Sequence, residues 1–171
     1  MTVVVSDTNV FVALFKCELL LKVFSNTRVS LKIPNKIYEE LTLSTHRVKR
    51  EYPALSAQVI NWVHNKNHND TISLVVLNIQ KDLVSPSALN VHYLLEEDAS
   101  LDPGEREAIP LTIELSAVFV SCDSDAIEEY EDIQDKNGST AFLFIEYCRN
   151  LLDQYMISQK DFDSIEAAIK G

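Results

Sequence analysis

The chain has 171 residues, of which 46% are hydrophobic, so its length and composition predict one compact domain rather than a multidomain protein. Fifteen Lys and Arg residues against 26 Asp and Glu residues give a formal charge of −11, the opposite of the basic balance of an ordinary nucleic-acid binder. No apolar run approaches the roughly 18 residues that a membrane span needs, and the chain opens on a strand-like segment, so we expect a soluble cytoplasmic protein.

The first half of the sequence alternates between apolar runs typical of strands and periodic segments typical of helices. In chain order we predict a strand over 3–6, a helix over 10–24, a strand over 29–33, a helix over about 34–43, a basic stretch over 46–50, a helix over about 55–65 and a strand over 72–79.

The second half continues the alternation. We predict helices over about 87–97 and 103–116, a buried strand over 117–122 and three further helical stretches from Asp125 to the end, with the apolar run 141–145 forming a buried helix face. Strands that alternate with helices are typical of a parallel sheet covered on both faces. The sequence therefore predicts an α/β protein with a three-layer α/β/α fold and a mainly parallel sheet, as a single domain over 1–171.

Two predicted strands end in acidic residues. Asp7 follows the first strand, and Asp123 follows the strand over 117–122. In open α/β sheets ligands bind outside the carboxyl ends of the strands, so acids in these positions are placed for chemistry. Asp after a strand also commonly caps the helix that follows, and for each residue taken alone this structural role is the favoured explanation.

Two further acids are predicted to point inward from helices. Glu40 lies on the same helical face as Ile37 and Leu41, and Glu105 lies on the stripe that Ala108 continues. Taken alone, Glu40 is explained by a partly buried salt bridge and Glu105 by its favourable position at a helix N-terminus.

Taken together, the four carboxylates Asp7, Glu40, Glu105 and Asp123 favour a cation site, because like charges in a partly dehydrated pocket oppose folding unless a cation is present. An all-oxygen ligand set favours Mg²⁺ or Mn²⁺ over Zn²⁺. The three cysteines are odd in number and widely spaced, so they support neither a disulfide framework nor a zinc site. His64 and His68 form an i, i+4 pair that we interpret as a surface pair.

Four segments of the chain resemble PIN-domain nucleases, in the order in which that family carries them. They are Val4-Val5-Ser6-Asp7-Thr8-Asn9, Ile33-Pro34-Asn35-Lys36-Ile37-Tyr38-Glu39-Glu40-Leu41, Leu101-Asp102-Pro103-Gly104-Glu105-Arg106-Glu107-Ala108-Ile109 and Val120-Ser121-Cys122-Asp123-Ser124-Asp125-Ala126. The third is the most specific, and the resemblance covers the chain to about residue 155.

The resemblance implies a metal-dependent endoribonuclease that cleaves RNA to leave a 5′-phosphate and a 3′-hydroxyl. It implies that Asp7, Glu40, Glu105 and Asp123 form the Mg²⁺ or Mn²⁺ site, that Asn9 supports Asp7 by hydrogen bonding, and that Asp125 is the reserve ligand. The family includes the toxins of bacterial toxin–antitoxin pairs, which often dimerise and are silenced by a small partner peptide. Tyr147 and Tyr155 are candidates for dimer contacts.

One part of the charge pattern favours binding of RNA, and another part opposes it. Arg47, Lys49 and Arg50 follow the helix of Glu40 directly and are candidates for binding RNA phosphates, although such a cluster is also typical of a solvated loop. The region 96–135 carries fourteen acids and only Arg106 as a base, and Ile127 lies near the position where the family often carries Arg. This density indicates a weak enzyme, a specialised substrate or a basic protein partner.

Two other functions fit parts of the pattern. In a haloacid-dehalogenase-type phosphatase a strand-end Asp is the nucleophile, but Asn9 occupies the place of the second acid that such enzymes need for the acid–base step. A catalytically silent PIN-like interaction module would explain the acidic surface. Mn²⁺-dependent cleavage of single-stranded RNA distinguishes the nuclease from both.

Overall fold

A computed structural model describes residues 1–25, 29–64 and 72–171 of the chain. Asn65, the predicted end of one helix, and His68 lie outside the described residues. The described residues form five strands: β1 (Thr2–Val5), β2 (Ser30–Pro34), β3 (Leu74–Leu77), β4 (Val118–Ser121) and β5 (Thr140–Leu143). They also form eleven helices: α1 (Thr8–Lys16), α2 (Leu20–Phe24), α3 (Asn35–Thr42), α4 (Arg47–Glu51), α5 (Pro53–His64), α6 (Ile79–Asp82), α7 (Pro86–Leu95), α8 (Pro103–Glu114), α9 (Ser124–Glu131), α10 (Phe144–Asp153) and α11 (Gln159–Lys170).

The five strands form one parallel sheet in the order β3-β2-β1-β4-β5. The chain runs outward from β1 to β2 and β3, and then returns to place β4 on the other side of β1. Val5 at the end of β1 pairs with Val120 of β4, so these two strands finish side by side. The strand order therefore reverses between β1 and β4, the point where ligands bind in open α/β sheets.

Helices cover both faces of this sheet. Successive side chains of a strand point to opposite faces, so each central strand contributes to two cores. Val3 and Val5 belong to a core formed with α1, α2, α3, α5, α10 and α11, whereas Val4 belongs to a second core formed with α7, α8 and α9. β4 divides in the same way, with Phe119 in the second core and Val120 in the first. The three-layer α/β/α fold predicted from the sequence is confirmed, with a sheet that is entirely parallel.

The structure corrects two of the predicted elements. The helix predicted over 10–24 is divided into α1 and α2, and Glu18 between them has the left-handed φ of 61°. The interpretation of 141–145 as a buried helix face is wrong, since 140–143 form strand β5 and α10 begins at Phe144. A short apolar run fits a strand or a helix equally well, and pairing with β4 gives this one its extended form.

The described residues include no helix that is long and apolar enough to cross a membrane.

Gly104 allows the N-terminus of α8 to lie against the end of β1. A Cβ atom at this position would lie 3.2 Å from the carbonyl oxygen of Ser6 and closer than van der Waals contact to Cδ1 of buried Ile37. We expect Gly104→Ala to lower the free energy of unfolding by about 1–2 kcal/mol, because overpacking outweighs the gain in helix propensity.

Urea unfolding of the full chain measures this effect, and Ile37→Val provides the control. That substitution removes the Cδ1 atom in the way, so the double variant should be destabilised by less than the sum of the two single variants. Additive losses would show that contact between these two positions is not what restricts residue 104.

Candidate active site

Asp7 and Asp123 lie at the ends of the two paired central strands. Asp7 caps α1, with its Oδ1 accepting a hydrogen bond of 2.8 Å from the backbone N–H of Asn9. Asp123 caps α9 in the same way, accepting at 2.9 Å from the backbone N–H of Asp125. The capping role considered from the sequence is therefore present at both positions, and it leaves one oxygen of each carboxylate outside the cap contact.

Glu105 joins these acids from α8 through a capping box. Its backbone N–H donates at 2.8 Å to Oδ1 of Asp102, and its Oε2 accepts at 3.1 Å from the backbone N–H of Asp102. Only 2% of Glu105 is exposed, which confirms the prediction that its side chain points inward. Asp102 is a member of the acidic group that the sequence analysis did not select, although an Asp three residues before a Glu at a helix start is the signal for such a box.

The electrostatic effects between these side chains show that they share one region. Burial raises the pKa of Asp7, and the charge of Asp102 raises it further. Burial also raises the pKa of Glu40, which is half-buried on α3, and the charges of Asp102 and Asp7 add to the effect. Residues from β1, α3 and α8 are thus close enough for their carboxylates to oppose one another's ionisation.

Glu105 has the largest shift in this group. Burial raises its pKa to about 8; the backbone N–H of Asp102 works in the opposite direction, and the charges of Asp102 and Asp123 add to the rise. The raised pKa favours the protonated form of Glu105 at neutral pH.

The cluster has no basic side chain bound to it. Within the described ranges, none of Asp7, Glu40, Asp102, Glu105 and Asp123 forms an ion pair with Lys, Arg or His. The charge of Lys36 lowers the pKa of Glu40, but the Lys36 ammonium forms its ion pair with Glu39, at 3.6 Å. The N-termini of α1, α8 and α9, capped by three of these acids, offset part of the negative charge.

The donors fit a hard divalent cation in chemistry and in charge, since they are carboxyl oxygens that have no ion pair with Lys, Arg or His among the described residues. The side chains do not form a ready coordination shell. Among the residues at 1–25, 29–64 and 72–171, no three His, Cys, Asp or Glu groups are arranged to hold one metal ion. Binding an ion thus requires displacement of the Glu105 proton and closer approach of the carboxylates.

Asn9 and Cys122 both interact with the Asp7 carboxylate. Asn9, predicted to support Asp7 by hydrogen bonding, does so through its backbone N–H. Cys122 also holds this carboxylate, because its backbone N–H and its thiol both lower the pKa of Asp7. Burial, followed by the charge of Asp7, raises the pKa of the Cys122 thiol far above its ordinary value, so the thiol is a hydrogen-bond donor here and not a nucleophile.

The predicted substrate-binding cations lie on α4, which replaces the loop considered for this basic stretch. Arg47, Lys49 and Arg50 are exposed, and Arg47 forms an ion pair with Glu51 at 3.0 Å. Arg47 lines two neighbouring cavities of about 200 and 410 Å³ that also share Asn9.

The smaller of these cavities includes Glu40, and the larger includes Lys16 and Cys122. Lys16 is a second cation beside the acidic cluster that the sequence analysis did not select. Asp125 is exposed in the first turn of α9, and its backbone N–H donates a hydrogen bond to Asp123.

Comparison of the chain with protein-family models, with curated proteins and with solved structures gives no match.

Proposed function

We propose that this protein is a metal-dependent endoribonuclease of the PIN type, which hydrolyses phosphodiester bonds of RNA at the cluster of Asp7, Glu40, Glu105 and Asp123. The observation that carries the proposal is the mutual effect of these acids beside the point where the strand order reverses: besides burial, the charges of Asp102 and Asp7 raise the pKa of Glu40, and those of Asp102 and Asp123 raise the pKa of Glu105. Structural salt bridges are the alternative explanation for buried acids. These four form no ion pair with a basic side chain among the described residues, so that explanation does not apply to them.

The proposed roles follow from the position of each side chain. Asp7, Glu105 and Asp123 would hold Mg²⁺ or Mn²⁺, with Asp125 in reserve. A bound ion would stabilise the charge of the phosphodiester and make a water molecule more acidic. Glu40 is half-buried with a raised pKa and lines the adjoining cavity, so it is suited to accept a proton from the attacking water.

An RNA strand would approach along the two cavities that meet at Asn9. Arg47 lines both cavities, and Lys16 lines the larger one, so two cations lie beside an otherwise acidic site. Phosphate binding depends on such cations. We include Lys49 and Arg50 as exposed residues that steer the RNA towards Arg47.

The family resemblance extends the proposal to a cytoplasmic toxin-type protein with an antitoxin-like or other basic protein partner, and to a homodimer. Tyr155, which is 96% exposed, is available for a dimer contact, whereas Tyr147 is only 5% exposed and belongs to the core. Measurement of the molar mass in solution for Tyr155→Ser and for the natural chain tests the dimer.

A catalytically silent interaction module is the second candidate. The observation in its favour is that no three acidic, His or Cys side chains in the described part of the chain form a ready metal shell. The experiment that decides between the two is incubation of the purified protein with labelled single-stranded RNA and Mn²⁺.

We expect cleavage that requires Mn²⁺ or Mg²⁺, stops on chelation, and falls by about 100-fold or more in Asp7→Asn. Asn retains an oxygen that can accept from the Asn9 N–H, so this variant should fold. Intact RNA at every metal concentration would favour the interaction module, and phosphate release from small phosphoesters would favour the phosphatase.

A further inference from the structure

A groove of about 520 Å³ lies on the side of the molecule formed by α7 and the end of α9. Its walls come from α7, from Asp98 and from residues 129 and 132–135. None of the carboxyl groups of the candidate active site lines it. The groove is therefore separate from the candidate active site.

The floor of this groove is apolar. Val91 and Leu95 of α7 line it and are only 4% and 6% exposed, and the partly buried Ile133 lines it from the opposite side. Leu94 lines the lip and is 77% exposed. Isolated exposed apolar side chains are normal on a protein surface, but this one adjoins a concave apolar floor, as in sites that receive a partner.

The rim of the groove is acidic. Asp98, Glu129, Asp132 and Asp135 line it, and within the described ranges no Lys, Arg or His lines it. Asp98 and Glu129 lie close together, since Oγ of Ser100 donates to Asp98 at 2.6 Å and lies 3.4 Å from Oε1 of Glu129.

Two basic side chains near the groove donate to backbone carbonyl groups. Nζ of Lys136 donates to the carbonyl oxygens of Glu131 and Ile133 at 3.0 and 2.5 Å, and Nη1 of Arg106 donates to the carbonyl oxygen of Glu96 at 3.1 Å. Among the described residues no Lys, Arg or His forms an ion pair with the rim acids, although hydrogen bonds from Ser100 and, to a lesser extent, the charge of Arg106 lower the pKa of Asp98.

We propose that this groove binds a basic amphipathic helix of a partner protein. Apolar side chains at helical spacing would enter between Leu94 and Ile133, and Lys or Arg side chains would lie over the acidic rim. Helices recognised in grooves present such anchors at i, i+3, i+4 and i+7. The same rim repels the phosphates of RNA and of anionic membranes, so charge selects a basic polypeptide.

The probe is a synthetic helical peptide of about 14 residues, with Leu at i, i+3, i+4 and i+7 and Lys or Arg at most other positions. One control peptide has the same composition with the Leu spacing scrambled, and the other has Glu in place of the basic residues. Fluorescence anisotropy with the full chain measures the dissociation constants. We expect the probe to bind at least about tenfold more tightly than either control, with amide shifts confined to α7 and to residues 129–135.

Leu94→Asp separates apolar docking from simple charge attraction, because it adds a negative charge while removing the apolar lip. We expect this variant to bind the probe about tenfold more weakly, whereas simple charge attraction predicts tighter binding. Val84→Asp makes the same change at a residue that is 75% exposed and outside the groove, and it should leave binding unchanged.

A paired variant, Asp132→Asn with Asp135→Asn, should weaken binding about threefold and reduce its salt dependence, whereas Asp153→Asn with Asp163→Asn should not. Equal binding of the scrambled peptide, undiminished binding to Leu94→Asp, or amide shifts around Asp7 would overturn the proposal. Self-association that Leu94→Asp abolishes would replace the partner helix by a second copy of this chain and would equally overturn it.

Discussion

Substitution of Glu105 by glutamine is expected to lower the rate of Mn²⁺-dependent RNA cleavage by about 100-fold or more while the fold is retained. Glutamine keeps the side-chain oxygen that accepts from the N–H of Asp102, so the capping box survives. It also resembles the protonated Glu105 that a pKa of about 8 maintains at neutral pH. The substitution therefore removes the ability to become a carboxylate and changes little else.

Glu107→Gln is the matched control. Glu107 lies on the same helix, is half-buried, and has a pKa that burial raises. Its Oε1 accepts from the backbone N–H of Lys36 at 3.1 Å, a contact that glutamine also makes. We expect this variant to cleave RNA as the natural chain does. If Glu105→Gln keeps more than about a tenth of the activity, the proposal that Glu105 holds the ion is wrong.

The sequence contains the main features of the fold because the apolar pattern of its central strands is strong. β1 and β4 are both short apolar runs followed by acids, and both were predicted as strands. That they finish side by side is seen only in the structure. β5 was not predicted because its side chains are only partly buried and its extended form depends on pairing with β4. Local sequence does not contain that pairing.

The candidate site could be predicted only in part for a similar reason. The inward direction of Glu105 follows from helical periodicity and is confirmed, whereas Glu40 is half-buried, as is its neighbour Glu39. Cys122 and Lys16 come near Asp7 and Asn9 through the packing of separate elements, which no short motif records. Asp102 was detectable from capping-box spacing, but its electrostatic effect on Asp7 and Glu40 depends on how closely α8 approaches β1 and α3.

The metal-free protein should lose stability as the pH rises from about 5 to 9. The pKa of Glu105 is raised from 4.5 to about 8 in the folded chain, so between these values the native state binds more protons than the unfolded state. The free energy of unfolding therefore falls with increasing pH, and the raised pKa values of Asp7 and Glu40 act in the same direction. One pKa unit corresponds to about 1.4 kcal/mol, and after a discount for solvent screening we expect a total loss of about 2 kcal/mol.

Urea unfolding in the presence of a chelator at several pH values measures this loss, and Glu105→Gln should remove most of it. Addition of Mn²⁺ at pH 8 should then restore stability to the natural chain, because an ion that binds only the folded state at a hundredfold excess over its dissociation constant contributes about 2.7 kcal/mol. Asp7→Asn and Glu105→Gln should gain much less from Mn²⁺, whereas Glu107→Gln should gain as much as the natural chain.

The same measurement distinguishes a metal site from acids that only cap helices. If Asp7, Asp102 and Asp123 serve only the N-termini of α1, α8 and α9, their negative charge is already favourable to the fold, and no cation is needed to offset it. Mn²⁺ would then leave the unfolding curve unchanged. A cluster adapted to a cation predicts instead that Mn²⁺ stabilises the fold, since burial and the neighbouring carboxylates oppose the ionisation of Glu105 until an ion replaces its proton.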